Sequence, residues 1–189
     1  YDFNPSNPDA YSYTQNKESA YVNELESFFS LNSGALDSND NFAYEGSGIS
    51  TNITVANGDK ISFIWNFFTN EAAINIGLFT ALNDFAFFIV DDNVIKLTDV
   101  NNALNPSKYF RLETGENLFS YTFTKTGSYK IGIGIVDIND FSGTSALEIK
   151  AGTIERQTER IPEPSLILGS LITFGLNAIF KKVKAAVKD

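Results

Sequence analysis

The sequence contains no cysteine, no histidine and no methionine, and the first two absences each remove classes of function. Without cysteine there is no disulfide framework and no thiol chemistry, although the redox compartment stays open. Without histidine the chain lacks the commonest general base, the usual zinc ligand and every nucleophile pair that depends on histidine. No nucleophile elbow, phosphate-binding loop or zinc motif is present either. The 23 acidic residues make some glycosidase-like carboxylate pair inevitable, so such a pair carries no weight. We therefore predict that the protein is not an enzyme.

Length and composition predict one ordinary domain with appendages and a sizeable core. The chain has 189 residues, of which 43% are hydrophobic and 14% are aromatic. Phenylalanine accounts for 17 of the aromatic side chains, which favours a β-rich interior. The sequence begins at Tyr1 rather than at a methionine. We expect either that an export signal has been removed or that the sequence was trimmed, and we favour export.

The net charge of −9 is unevenly distributed along the chain. Residues 165–189 contain four lysines and one aspartate, a net charge of +3, so residues 1–164 carry −12. An acidic body without a basic stripe repels phosphate, and we expect no nucleic-acid partner. The basic end suits anionic lipid or the cytoplasmic flank of a short membrane segment.

The N-terminal region divides into an arm and a helix. Residues 1–17 are rich in asparagine, proline, serine and tyrosine without a helical or strand period, and we expect an extended arm. Residues 18–31 carry apolar side chains at the spacing of an amphipathic helix. The stripe consists of Tyr21, Val22, Leu25, Phe28 and Phe29. Residues 32–34 predict the end of this helix, which we expect to pack on a sheet edge.

A period of two begins after Gly46 and predicts a β-hairpin. Alternating apolar side chains mark one strand over residues 49–55 and a second over residues 60–69. Asn57 and Gly58 lie between them, and this pair is typical of a primed two-residue hairpin turn. Trp65 could stack on a sugar, but it is in register with the apolar side chains of its strand. We therefore favour core packing for this residue.

Further strands follow at short intervals, while residues 72–82 stay undecided between a loop and a helical turn. We predict strands over residues 85–90, 94–97, 118–123, 128–136 and 144–150, and a polar loop over residues 99–113. Gly132 and Gly134 leave one face of their strand without side chains, so another backbone or side chain can approach that face closely. Seven to eight strands without βαβ alternation indicate a mostly β fold, a jelly-roll-like β-sandwich. This domain, with its leading helix, covers residues 18–150, and the polar residues 151–161 form a linker.

Oxygen-bearing side chains at the predicted strand ends suggest a Ca²⁺ site. The proposed ligands are Asn70, Glu71, Asp84, Asp137 and Asp140, with Asn83 and Asn139 beside them. Carboxylate and amide oxygens from separate loops are ligands that Ca²⁺ prefers. The spacing is not that of an EF-hand loop. The alternative is that these residues serve ordinary turn and hydrogen-bonding roles.

The C-terminal segment, residues 162–189, has three parts in a fixed order. Pro162, Glu163 and Pro164 end whatever precedes them, because proline fixes φ and lacks a backbone donor. Residues 165–180 carry no charge. As a helix they would rise about 24 Å, short of the ~30 Å hydrocarbon core of a membrane. The apolar side chains include Leu166, Leu168, Leu171, Phe174, Leu176 and Phe180, and the basic end consists of Lys181, Lys182 and Lys184.

This order of parts resembles the PEP-CTERM sorting signal of exported bacterial surface proteins. The body is similar to the exported β-sandwich domains that accompany such tails, and the resemblance spans roughly residues 20–184. It is carried by residues 24–31, 34–37, 45–50, 58–71, 83–88, 132–137 and 145–147. The resemblance implies a non-enzymatic structural protein of the bacterial cell surface or extracellular matrix. Its hydrophobic tail helix would meet the membrane and an exosortase-type sorting machinery.

Two other functions stay open on the sequence. The tail helix, or the N-terminal arm added to a neighbour's sheet edge, could join protomers into a homo-oligomer such as a filament or sheath. The body could instead be a Ca²⁺-dependent glycan-binding module with an extracellular polysaccharide as its partner. The sequence leaves open whether the tail is cleaved, embedded in the membrane or used for assembly.

Overall fold

The computed structural model describes residues 19–38, 41–71, 83–139 and 144–157. These residues confirm the prediction of a mostly β fold. In chain order the elements are β1 (Ala20–Tyr21), α1 (Val22–Phe29), β2 (Ala43–Val55), β3 (Lys60–Thr69), β4 (Phe85–Val90), β5 (Asn93–Asp99), the 3₁₀-helix Val100–Asn102, β6 (Asn105–Pro106), β7 (Leu112–Glu113), β8 (Asn117–Thr122), β9 (Gly127–Ile138) and β10 (Ser145–Glu155). The predicted arm, the undecided segment 72–82 and the tail 162–189 lie outside the described residues.

The strands form two antiparallel sheets. The first sheet has the order β1–β2–β9–β4–β5, and the second has the order β10–β3–β7–β6, with β8 also paired to β3. The longest pairs are β2 with β9 and β3 with β10, which run antiparallel over almost their whole lengths. Because successive side chains point to opposite faces of a strand, each register fixes which residues share a face.

Strand β4 of the first sheet is covered on both of its faces, which explains why every one of its residues is buried. On one face, Phe88 and Ile135 join side chains of β3, including Phe63 and Phe67, in the main core. The rings of Phe63 and Phe88 lie 5.7 Å apart across the two sheets. On the other face, Phe87 belongs to a second core that includes residues of α1. Alternate residues of one continuous apolar strand therefore serve two different cores.

Helix α1 is shorter than the predicted helix over residues 18–31. It begins at Val22, because the two preceding residues pair with β2 as strand β1. It ends where Ser30 adopts a left-handed conformation with φ of 64°, before the predicted stop at residues 32–34. The helix packs on the face of the first sheet, where Leu25 and Phe29 are buried. No helix among the described residues is long and apolar enough to cross a membrane.

Phe29 fills a notch in the first sheet that glycines leave open. Its side chain is fully buried, and its ring makes an edge contact with Phe87 at a centroid distance of 5.5 Å. A Cβ atom on Gly48 or on Gly132 would lie 2.4 Å from a carbon of the Phe29 ring. The bare glycine face of β9 therefore admits another side chain closely, as the sequence predicts, and that side chain is Phe29.

The predicted hairpin between residues 49–55 and 60–69 is wrong. Both strands exist, but β2 pairs with β1 and β9, whereas β3 pairs with β10, β7 and β8. Of the two turn residues only Gly58 has a positive φ, at 90°, so the turn is not the type I′ turn in which both residues do. The chain crosses from one sheet to the other here. Each strand still presents an apolar face to the shared core, which produces the alternating pattern without pairing the two strands.

Asp59 anchors this crossing from a buried position. Its carboxylate accepts hydrogen bonds from the backbone N–H groups of Ala56 at 2.9 Å and Gln157 at 2.8 Å, and from Arg156 Nη1 at 2.9 Å. The Ala56 N–H, then the Gln157 N–H and the Arg156 guanidinium, hold the pKa of Asp59 below its usual value, although burial acts in the opposite direction. The ionised carboxylate thereby ties the turn to the residues that follow β10.

The end of β10 corrects one predicted boundary. The linker predicted over residues 151–161 overlaps this strand, which continues to Glu155. A register shift between Lys150 and Gly152 lets the strand extend along β3. Its polar composition reflects an exposed strand end, where Glu155 forms an ion pair with Lys60 at 3.1 Å.

The predicted return from residues 85–90 to residues 94–97 is confirmed as the β4–β5 hairpin. Asp91 and Asp92 occupy its turn, and Asp91 takes a positive φ of 53°. The Asp91 Oδ1 atom accepts a hydrogen bond from the Lys130 N–H at 2.8 Å. These two aspartates therefore act as turn formers.

Candidate metal centre

Three carboxylates from both sheets meet at one end of the strands. Glu71 lies two residues beyond the end of β3, Asp84 immediately precedes β4, and Asp137 is the penultimate residue of β9. The pairing of Phe85 with Val136 in the first sheet brings Asp84 beside Asp137. Glu71 arrives from the second sheet. The cluster therefore forms only when the two sheets are packed together.

The three carboxylates are close together and almost completely buried. Ligand oxygen atoms of Glu71, Asp84 and Asp137 all lie within 4.8 Å of one another. Their residues are 3%, 2% and 5% exposed, respectively. Two oxygens that bind one Ca²⁺ ion at about 2.3–2.6 Å can be no more than ~5 Å apart. The observed spacing therefore suits a single shared ion.

Hydrogen bonds fix the position of the Asp84 carboxylate. Its Oδ1 atom accepts from the backbone N–H of Ile138 at 3.1 Å. Its Oδ2 atom accepts from the Ser145 hydroxyl at 2.6 Å. Since Ile138 ends β9 and Ser145 begins β10, this carboxylate is held by strands of both sheets.

A short hydrogen-bonded chain connects Asp84 with the backbone of Glu71. The Ser145 Oγ atom also lies 3.0 Å from Thr69 Oγ1. Thr69 Oγ1 in turn accepts from the Glu71 N–H at 3.0 Å. Thr69 and Ser145 are themselves buried and pair directly across β3 and β10. These hydroxyls hold the cluster in a defined arrangement.

A small cavity lies beside the carboxylates. It is lined by Ser19, Glu45, Gly46, Asp84, Ile135, Asp137 and Ser145. Its volume is about 10 Å³, which is close to the minimum that holds one water molecule. The cavity is therefore of a size for a single ion or water, and not for an organic substrate.

The charge of the cluster explains what it can do chemically. Ionised carboxylates at this separation repel one another, and the repulsion grows as water is excluded. A divalent cation would offset this repulsion and link the two sheets. Because the chain has neither histidine nor cysteine, the donors are oxygens, which suit hard cations such as Ca²⁺, Mg²⁺ or Mn²⁺.

The other residues of the predicted Ca²⁺ site are not brought into the cluster. The side-chain oxygens of Asn70, Asn83 and Asn139 each accept a hydrogen bond from another loop. The donors are Arg111 N at 2.9 Å, Asn101 Nδ2 at 3.2 Å and Phe42 N at 3.1 Å, respectively. Asp140 lies outside the described residues. The structure thus brings together Glu71, Asp84 and Asp137 and directs the three amides to loop contacts.

Sequence reasoning missed three residues that surround the cluster. Ser145 bonds Asp84, Thr69 bonds Ser145 and Glu71, and Glu45 pairs with Asp137 across β2 and β9 and lines the cavity. Each is a strand residue that no local pattern separates from its neighbours. Only the pairing registers of β2 with β9 and of β3 with β10 place them here.

Trp65 is 7% exposed and belongs to the main core, as favoured from its register with the apolar side chains of β3. A buried ring offers no platform for a sugar. Any glycan contact of the described residues must therefore use other aromatic side chains.

Neither protein-family models, nor curated proteins, nor solved structures give a match to this chain.

Proposed function

We propose that this chain is a non-enzymatic, exported cell-surface or extracellular-matrix protein whose jelly-roll-like β-sandwich is stabilised by bound Ca²⁺. The buried cluster of Glu71, Asp84 and Asp137 is the observation that carries the calcium part of the proposal. The order of parts in residues 162–189 supports the surface address.

The sandwich is supported by how consecutive strands alternate between the sheets. β2 and β3 follow each other in the chain but lie in opposite sheets, and so do β9 and β10. β2 pairs with β9, and β3 pairs with β10. Each of these long pairs thus lies within one sheet, and the main core packs between the two sheets, as in a β-sandwich.

Calcium is favoured because its ligand needs match the cluster. Ca²⁺ accepts six to eight oxygens in flexible geometry, including carboxylates that bind through both oxygens. Mg²⁺ demands near-ideal octahedral geometry and usually keeps several waters, so it is rarely held by a set of protein carboxylates alone. Glu71, Asp84 and Asp137 would hold the ion, with water or backbone oxygens completing its shell.

A structural role fits the cluster better than a catalytic one. Its three carboxylates are almost fully buried, so a substrate could not reach them without opening the end of the sandwich. An ion at this place would join β3 of the second sheet to β4 and β9 of the first. Such an ion stabilises the folded state, because the unfolded chain has no preformed site.

The proposed location at the cell surface rests on the C-terminal tail, residues 162–189. The Pro162–Glu163–Pro164 triplet, the uncharged run over residues 165–180 and the following lysines have the order of a PEP-CTERM sorting signal. In this proposal the tail brings the sandwich to the membrane and the sorting machinery, and the acidic body faces outward. Assembly through the same helix or through the N-terminal arm is the competing role.

Calcium titration of the full chain tests the metal site. After EDTA treatment and dialysis, we expect CaCl₂ to give a saturable heat signal near one ion per chain in isothermal titration calorimetry. At free Ca²⁺ about 100-fold above Kd the stabilisation should be about 2.7 kcal/mol. For a chain of this size that corresponds to a rise of about 5–11 °C in melting temperature.

Two controls make this test specific. MgCl₂ at the same concentration should raise the melting temperature much less. Asp92→Asn removes an exposed carboxylate from the β4–β5 turn and should leave the calcium response unchanged. If neither the calorimeter nor the melting curve responds to Ca²⁺, the calcium-stabilised function is wrong.

Deletion of residues 165–189 separates surface anchoring from assembly. In a bacterial host with an exosortase-type system, we expect the full chain in the membrane and surface fractions and the truncated chain as a monomer in the medium. Electron microscopy of both purified chains reads out the alternative. Polymers of the full chain that the truncation abolishes would instead establish the assembly role, and equal distribution of the two chains would contradict both.

A further inference from the structure

A groove runs over the outer face of the second sheet. β3 directs its odd-numbered apolar side chains, such as Phe63 and Phe67, into the core, so its even-numbered side chains point outward. Asn66 and Phe68 therefore share the outer face with Glu148, which is opposite Asn66 in the β3–β10 register. Together with the loop between β6 and β7 they line a groove of about 650 Å³. This volume lies within the 300–1,000 Å³ range typical of ligand sites.

One wall of the groove is aromatic. The rings of Phe68 and Phe110 lie 5.4 Å apart with an interplanar angle of 31°. Tyr109 stands beside them and is 59% exposed. The Lys108 ammonium lies over the Tyr109 ring at 4.9 Å and covers one of its faces. Because Tyr109 is more than half exposed, it still offers ring surface to a ligand that stacks.

The loop that carries this wall is held in place by hydrogen bonds. The Ser107 hydroxyl oxygen accepts from the N–H groups of Tyr109 and Phe110, both at 3.4 Å. The next N–H, that of Arg111, donates to Asn70 Oδ1 at 2.9 Å. Asn70 therefore supports the groove from the end of β3. A loop fixed in this way loses little conformational freedom on binding.

The floor of the groove offers polar groups in fixed positions. Asn66 is almost fully buried, and its Oδ1 atom accepts from Thr114 Oγ1 at 3.1 Å, which orients the amide. Lys150 Nζ lies 2.7 Å from a Glu116 oxygen and 3.4 Å from a Glu148 oxygen, so it holds both carboxylates at the rim. Amide, ammonium and carboxylate groups together supply donors and acceptors for hydroxyl groups.

We infer that this groove binds a neutral oligosaccharide. An exposed aromatic face next to amide and carboxylate groups matches the two surfaces of a pyranose ring, its apolar C–H face and its hydroxyl rim. Three carboxylates (Glu113, Glu116 and Glu148) and two lysines (Lys108 and Lys150) line the groove. The excess of negative charge disfavours anionic polysaccharides and nucleotides. A matrix glycan would then be a partner in addition to the membrane, at a place distinct from the metal cluster.

Calorimetric titration of the full chain with defined hexasaccharides tests this inference. The probes are cellohexaose, laminarihexaose and xylohexaose, with a hexagalacturonate as the anionic comparison. We expect at least one neutral probe to bind and the anionic probe to bind more weakly. Tyr109→Ala should weaken the neutral probe's affinity by about tenfold or more, since stacking is lost. Tyr109→Phe should bind within about threefold of the parent chain, since its ring is kept.

Phe42→Ala is the matched control, because Phe42 is also an exposed aromatic residue (66% exposed) but lies outside the groove. Its affinity should equal that of the parent chain. Binding by none of the neutral probes, preference for the anionic probe, or equal losses in Tyr109→Ala and Phe42→Ala would each overturn the inference. Repeating the titration with EDTA, below the melting temperature, separates the two sites: binding should persist, whatever the outcome of the calcium test.

Discussion

Replacement of Phe29 by alanine is expected to lower the free energy of unfolding by about 3–5 kcal/mol, the usual cost of truncating a fully buried phenylalanine. The Phe29 ring is fully buried and packs against Phe87 and the glycine notch of the first sheet. Its loss leaves a cavity that the rigid β2–β9 backbone cannot close. Urea denaturation followed by circular dichroism measures the change.

A double-mutant cycle with Gly132 tests whether the ring and the missing side chain are coupled. A Cβ atom on Gly132 would lie 2.4 Å from Phe29 Cε1 and 2.9 Å from Ile89 Cγ1, both side-chain atoms. Gly132→Ala alone should therefore cost about 1–3 kcal/mol by overpacking. In the Phe29→Ala background the same change should cost less, with a coupling energy of about 0.5–3 kcal/mol.

Two other glycines provide the controls for this cycle. A Cβ on Gly48 would also meet the backbone oxygen of Ile133 at 2.7 Å, so Phe29→Ala should relieve Gly48→Ala only in part. A Cβ on Gly152 has no neighbour closer than 3.9 Å. Gly152→Ala should therefore show no coupling energy with Phe29→Ala. If the Phe29 and Gly132 changes are simply additive, the notch does not explain why glycine occurs at position 132.

Asp137→Asn is expected to change the sign of its effect with calcium. In EDTA the variant should be as stable as the parent chain or more stable, because one of three buried like charges is removed. In Ca²⁺ about 100-fold above the parent Kd, the parent chain should gain about 2.7 kcal/mol. The variant should lose most of that gain and become the less stable protein.

The measurement is the urea midpoint of both chains with EDTA and with CaCl₂, at constant ionic strength. Asp92→Asn changes a residue of the exposed β4–β5 turn. Its urea midpoint should stay close to that of the parent chain in both conditions. If the urea midpoint of Asp137→Asn is lower than that of the parent chain by the same amount with and without Ca²⁺, this carboxylate serves hydrogen bonding alone. The cluster of Glu71, Asp84 and Asp137 would then be a structural network without an ion.

The β4 strand and the turn at Gly58 show what a local sequence pattern can and cannot predict. The apolar run of residues 85–90 predicts a buried strand, and the structure agrees because each face of that strand meets a different core. The alternation around Gly58 equally predicts two strands correctly. Their pairing could not be predicted, since alternating side chains indicate a half-buried face without saying which strand lies beside it.

The candidate sites likewise combine residues that the sequence pattern indicates with residues that only strand pairing places there. Glu71, Asp84 and Asp137 stand out in the sequence as acidic residues at strand ends, where loops from different strands can converge. Ser145 and Thr69 have no such signal, because their place beside Asp84 follows from the register of β3 with β10. The aromatic groove is likewise invisible locally, since Phe68 and Phe110 are 42 positions apart and meet only after β3 has paired with β7.

The sequence by itself determined the mostly β class, the apolar helix stripe, the acidic body with its basic end and the absence of histidine and cysteine side chains. Composition and residue spacing suffice for these because they depend on neighbours along the chain. The tertiary structure alone decided that β2 and β3 lie in different sheets and that Phe29 fills the glycine notch. It also decided that three carboxylates become buried together. Each of these depends on strand pairing between residues far apart in the chain, which no local pattern specifies.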